Sequence, residues 1–176
     1  MASVFGHALV GGTLSKILDK KSSRILYVLA ILSAILPDLD VISFKLGYPY
    51  EHWLGHRGVT HSIFFAVLWS LLISVFFGKS NKLLFFVVVF LSTLSHTVLD
   101  AMTNGGLGVG FFIPFENTRY FFECRPIQVS PIGINRFFSE WGLRVIISEL
   151  IWIGLPCAVI LIGNKIRNKW ILKMHN

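Results

Sequence analysis

Three short stretches carry the residue types that do chemistry. LPDLD offers Asp38 and Asp40, HRGVTHS offers His56, Arg57 and His61, and SHTVLD offers His96 and Asp100. Imidazole is the commonest neutral metal ligand, and a mixed set of imidazoles and carboxylates suits a divalent ion, Zn first and Mn or Fe after it. His96 and Asp100 stand at i and i+4, so a helix puts both on one face. In HRGVTHS a turn at Gly58 folds His56 and His61 inward as His61 opens the next helix, the alternative being a polar loop whose histidines only meet an interface. Asp38 and Asp40 cannot share a face of a regular helix, but an extended turn after Pro37 aims both at nearby positions. The alternative there is that Pro37 ends one segment and an Asp caps the next. His7, between Gly6 and Ala8, is either a structural histidine or a further ligand.

The elements that must position these groups are apolar. The 176-residue chain is 54% hydrophobic and 14% charged, with a mean hydropathy of +0.69, a composition that belongs in a bilayer. Runs Ser62 to Gly78 and Leu143 to Gly163 are long enough, or nearly so, to cross about 30 Å of hydrocarbon. Leu83 to Met102 crosses if His96 and Asp100 face protein or water, and Ile25 to Leu36 crosses when extended to Asp40. Ala2 to Leu18, with Gly6, Gly11 and Gly12, reads as a protein-covered helix. It lacks the basic start and small-residue cleavage site of a removable signal peptide, so it is expected to stay in the mature chain. The expectation is an all-α membrane protein, one domain over residues 1–176, with a compact bundle of about five helices.

Charge placement orients that bundle. Lys16, Lys20, Lys21 and Arg24 separate the first two helices, Lys79 and Lys82 the third and fourth, and Lys165, Arg167, Lys169 and Lys173 follow the last. Alternation puts these clusters on one side, which the positive-inside rule makes cytoplasmic. Depth can then be measured from the basic rim. The separations from Arg24 to Asp38, Lys82 to His96, Lys20 back to His7 and Lys79 back to His61 all correspond to roughly 20 to 27 Å of helix. Four helices therefore deliver His or Asp to one level near the opposite, periplasmic face.

Residues 104–138 carry Gly105, Gly106, Gly108, Gly110, Pro114, Pro126 and Pro131, which break any helix and suggest a hairpin or re-entrant element covering the site, between the fourth and fifth helices. Within it Arg119 and Arg125 are able to clamp a phosphate or carboxylate through their planar forks, or else pair with Glu116 and Glu123. Cys124 and Cys157 lack metal or disulfide spacing. The pI near 9.7 invites a nucleic-acid reading, but the basic residues lie at helix ends, so no nucleic acid is expected as a partner.

The order HALVG, LPDLD, HRGVTHS, SHTVLDAMTNGG, GVGFFIPF, RYFF and RPIQVSPIG resembles the YdjM-like family of bacterial inner-membrane proteins, to which metal-dependent hydrolysis is ascribed. The resemblance runs from about residue 5 to about residue 135. It implies a helical protein of the inner membrane with a metal site drawn from His7, Asp38, Asp40, His56, His61, His96 and Asp100. The spacing of His96 and Asp100 is also similar to one in zinc-dependent phospholipases C and P1-type nucleases.

Other chemistries are absent: there is no HExxH, no GxSxG elbow, and no arginine in VVFLSTLS ahead of His96. The expected function is hydrolysis of an ester or phosphoester at lipid headgroup level by metal-activated water, on a phospholipid or other amphiphile. Whichever of Asp38 and Asp40 is not a ligand would be the general base, with Arg57, Arg119 or Arg125 stabilising the developing negative charge. The rival readings are a divalent-metal transporter and a metal-stabilised protein without catalysis. Seven candidate ligands exceed one tetrahedral set, so one or two ions are expected, the surplus residues otherwise supporting the ligands.

Overall fold

The computed structural model describes residues 1–79, 81–131 and 138–174. Part of the 104–138 segment, including Arg136, lies outside the described residues. The chain is all-helical, with α1 (Val4–Leu18), α2 (Arg24–Ile35), the short α3 (Ile42–Lys45), α4 (Ile63–Phe77) and α5 (Lys82–Ala101). A last long helix runs from α6 (Glu140–Glu149) through a π-helical stretch at Leu150–Gly154 into α7 (Leu155–Met174).

The polar residues scattered through this oily sequence set the helix boundaries. Ser3, Ser23, Ser62 and Asn81 each cap a helix by accepting from a backbone N–H three residues on, which satisfies one of the orphan donors of the first turn. Asp19 folds α1 back onto α2, accepting from the N–H groups of Lys21 at 3.0 Å and Ser23 at 2.7 Å.

Among the described residues, three helical stretches are long and apolar enough to span a bilayer: Arg24–Lys45, Lys82–Ala101 and Glu140–Ile171. α1 and α4 are apolar but have 15 residues each, roughly 22 Å of rise. The expected fifth span, Leu143 to Gly163, is a segment of a 32-residue helix. Phe76 and Leu83, 65% and 72% exposed, face the surroundings as lipid-facing side chains do.

α5 packs against α1, α2 and α4, and Leu26, Ala30, Ile73, Phe85, Val88 and Val89 form the dry centre. In a bilayer, lipid tails are as apolar as Leu, so close packing of small residues and interhelical hydrogen bonds hold helices together. Both occur here. Gly11 lies so close to α2 that a Cβ on it would come 2.6 Å from the Ala30 carbonyl oxygen and 2.8 Å from the Ala34 Cβ. Trp69 donates its indole N–H to the Ser33 hydroxyl at 3.0 Å.

The segment after α5 has no β-strand among its described residues. It is a loop pinned by two isolated bridges, Thr103 with Ile127 and Val109 with Tyr120. The start of α1, the end of α2, the turn before α4 and the end of α5 meet at the pole this loop occupies. The α1–α2 and α4–α5 connections, with Lys20, Lys21 and Lys79, join the opposite ends of these helices.

Gly11→Leu is expected to separate α1 from α2 and lower the stability of the detergent-solubilised protein by about 1–3 kcal/mol. Gly163→Ala, whose Cβ would meet nothing within 4 Å, should leave the thermal midpoint unchanged.

Candidate metal centre

The helix ends deliver Asp38, His61, His96 and Asp100 to one buried cluster whose ligand atoms lie within 4.8 Å of one another. His61 Nε2 is 3.8 Å from Asp38 Oδ1 and 3.5 Å from Asp100 Oδ2, and His96 Nε2 is 3.4 Å and 3.9 Å from the same atoms. The two Nε2 atoms are 2.9 Å apart. Four donors about 2.1 Å from one tetrahedral ion would be about 3.4 Å from each other, so these separations are those of a ligand cage.

The hydrogen bonds behind the cage fix which atoms face it. His96 Nδ1 is 2.7 Å from the Ala34 carbonyl oxygen; a carbonyl only accepts, so Nδ1 carries the proton and Nε2 presents a lone pair. His61 Nδ1 faces Asp40 Oδ2 at 3.1 Å, which likewise turns the Nε2 lone pair inward. Arg57 Nε, 3.0 Å from Asp100 Oδ2, balances one of the two carboxylates, and a cation among the donors would offset the repulsion that remains between the lone pairs and Asp38. Asp38 sharpens the point, because neither of its oxygens accepts a hydrogen bond among the described residues although it is 6% exposed. Two inward-facing imidazoles with two buried carboxylates, one of them without a hydrogen-bond partner, fit a divalent ion of the zinc, manganese or iron type.

Asp40 stands behind the cage. It accepts from the Arg57 N–H at 2.9 Å, the Thr60 hydroxyl at 2.8 Å and His56 Nδ1 at 2.6 Å, besides facing His61. With a metal on His61 this would be the carboxylate–histidine–metal arrangement that sets tautomer and ring orientation. The expectation of an extended turn at LPDLD is corrected: Leu36–Val41 is a 3₁₀ helix with Pro37 in its first turn. Its tighter winding aims Asp38 into the cage and Asp40 to the loop side. Asp40 lies outside the four-donor set, with its oxygens engaged by four groups. His56 is bonded to Asp40 and stands outside the four-donor set, so it is not brought in as a ligand of this cage. His61 lies in a 3₁₀ turn, Val59–His61, ahead of α4 and does not open it.

The arginines divide. Arg57 is buried, donates through Nε to Asp100 Oδ2 at 3.0 Å and through its Nη atoms to the Gly105 carbonyl and the Thr103 hydroxyl. Its backbone has a φ of 61°, a left-handed conformation that costs a non-glycine residue about 1–3 kcal/mol. Gly58 follows because a Cβ there would run into the Trp53 carbonyl. Arg119 does not enter the cage; it donates to the carbonyls of His56, Tyr50 and His52 and stacks over the Tyr50 ring. Arg125 is exposed and lies over Phe121 at 4.6 Å. Neither forms the expected pair with Glu116 or Glu123.

Sequence reasoning missed four supporting groups. The Ala2 N–H donates to Asp100 Oδ1 at 2.8 Å, the Thr97 hydroxyl to the His61 carbonyl at 2.9 Å, and both the N–H and the hydroxyl of Ser3 to Glu149. Glu149 carried a legible signal, as a lone acid inside a long apolar run. Beside the cage lies a cavity of about 290 Å³ bordered by Tyr50, His56, Arg57, Gly106, Ser130 and Trp141.

His61→Ala and His96→Ala should each lower zinc retained after gentle purification at least tenfold, and Asp40→Asn should weaken it by roughly 10–100-fold through the lost orientation of His61. His52→Ala, whose ring stacks on Tyr48 away from the cage, should retain the wild-type amount; equal zinc in all four variants would remove the site.

Known proteins place this chain in a group. The family described as "YdjM inner membrane protein" matches residues 1–171. The chain is 39% identical over 169 residues to a protein of Escherichia coli strain K12 named "Inner membrane protein YbcI", covering 93% of this chain and 96% of that one. No solved structure matches. The matched length and the identity carry one conclusion: this chain is a membrane protein belonging to the YdjM family of inner membrane proteins.

Proposed function

We propose that the protein is a membrane-embedded, metal-dependent hydrolase that cleaves an ester or phosphoester at lipid headgroup level. The observation that carries this reading is the pairing of the cage with the cavity beside it. His56 and Arg57 on the cavity wall connect it to the four donors, through the His56–Asp40 and Arg57–Asp100 hydrogen bonds. A bound divalent ion would supply Lewis acidity and activate water at neutral pH.

The chain's own groups supply the rest. His56 donates a hydrogen bond from Nδ1 to Asp40 Oδ1, so Nε2 carries the ring's lone pair on a residue of the cavity wall. There it takes the proton of the attacking water and returns it to the departing oxygen, leaving an acid and an alcohol. This role passes to His56 because Asp38 is turned into the cage and Asp40 is fully bonded. Arg57, fixed by Asp100 and Thr103, places positive charge where negative charge develops. An apolar groove of about 240 Å³ between α1 and α6, lined by Phe5, Leu9, Ile146, Leu150 and Ile153, suits the acyl chain of a phospholipid. The basic inter-helix segments lie at the opposite pole, so the positive-inside rule puts the cage near the periplasmic face.

Lipid extract incubated with the metal-loaded protein and followed by mass spectrometry should lose one lipid class and gain its hydrolysis product. His56→Gln should keep its metal and lose about 10²-fold or more of that turnover. Consumption of nothing, with metal crossing protein-containing vesicles, would replace the hydrolase with a transporter; bound metal with neither activity would leave a structural ion.

Sidedness has its own test, in whole cells and on a background without Cys124 and Cys157. An impermeant thiol reagent should label Asn117→Cys and spare Ser80→Cys, and the reverse pattern would put the cage on the cytoplasmic face.

A further inference from the structure

His7 is fully buried, and neither of its ring nitrogens makes a hydrogen bond among the described residues. Its Nε2 points between the two cage carboxylates, 3.4 Å from Asp100 Oδ1 and 3.9 Å from Asp38 Oδ2. These are the carboxylate oxygens that the four-donor cage does not use. Asp38 directs Oδ1 to His61 and His96 and Oδ2 to His7; Asp100 directs Oδ2 to His61 and His96 and Oδ1 to His7.

Burying an imidazole with no partner costs stability, and burying a carboxylate with none costs more. Stacking of His7 on His96, at 3.7 Å between ring centroids, holds the ring in place without satisfying its nitrogens. Donor separations of 3.4 and 3.9 Å again match neighbours around one ion.

We infer that His7, Asp38 and Asp100 form a second divalent-cation site, bridged to the first by both carboxylates, so that the centre is dinuclear. This rests on the four-donor reading of the first site. Three protein ligands leave the second ion open on the remaining side, whereas the first has four. Carboxylate bridges of this kind hold two ions close enough to clamp one substrate group between them, as in two-metal phosphoesterases, where the ions lie about 3.5–4 Å apart. Two divalent ions outweigh the bridging carboxylates in charge, so the centre favours an anionic phosphoester over a neutral carboxylic ester as the group it binds.

The test is metal stoichiometry with a magnetic readout. Full-length protein in detergent is loaded with zinc(II) for elemental analysis and with manganese(II) for electron paramagnetic resonance. Wild type should bind two ions per chain and give the spectrum of an exchange-coupled manganese pair. His7→Gln should bind one ion and give the spectrum of isolated manganese, at an unchanged thermal midpoint for the metal-free protein. Should His7→Gln fail to fold, His7→Cys on a background lacking Cys124 and Cys157 replaces it. Loaded with cadmium(II), that variant should show a thiolate-to-metal charge-transfer band, and its absence counts against the site. One ion in wild type, unchanged by His7→Gln, would overturn the second site and leave the first standing. A coupled pair that persists in His7→Gln would overturn the assignment of His7. No bound metal in wild type would overturn the four-donor cage itself.

Discussion

Two carboxylates out of reach of water, Asp38 and Asp100, dominate the structure of this protein. A buried carboxylate is tolerated only when paired, hydrogen-bonded or bound to a metal, and most of the polar apparatus at one pole of the bundle answers that demand. Arg57 is buried to meet Asp100, and it reaches Asp100 only by adopting a left-handed backbone conformation. Thr103 and the Gly105 carbonyl then hold the other arms of the guanidinium. Asp38 receives no such support, and neither of its oxygens has a hydrogen-bond partner among the described residues.

The loop around HRGVTHS is built from the backbone outward. Arg119 gathers three carbonyls of residues 50–56, and Asp40 gathers the Arg57 N–H, the Thr60 hydroxyl and two imidazoles. An irregular segment beside a bilayer has backbone groups that must be satisfied within the protein, and one guanidinium and one carboxylate supply much of what is needed. The loop and the cage ligand His61 therefore share one set of supports. A change at Arg119 would reach the cage through His56 and Asp40 although its side chain never enters it.

The parts of this arrangement that follow from periodicity were legible in the sequence. His96 and Asp100 share a face because helices repeat every 3.6 residues, and the common depth of Asp38, His61 and His96 follows from rise per residue. The division of labour between Asp38 and Asp40 was not legible, because it depends on Leu36–Val41 winding as a 3₁₀ helix where an extended turn was equally compatible with Pro37. Nor was the pairing of Arg57 with Asp100, or of Ser3 with Glu149. Those partners are far apart in sequence and meet only because helices pack in a particular order.

The Ser3–Glu149 contact joins the beginning of the chain to its last long helix, and through the neighbouring Ala2 N–H it touches Asp100. Two adjacent residues ahead of α1 therefore link α5 to the last long helix. A displacement of Glu149 would pull on the stretch of backbone that holds Asp100, so that an acid outside the four-donor cluster is coupled to it without touching it.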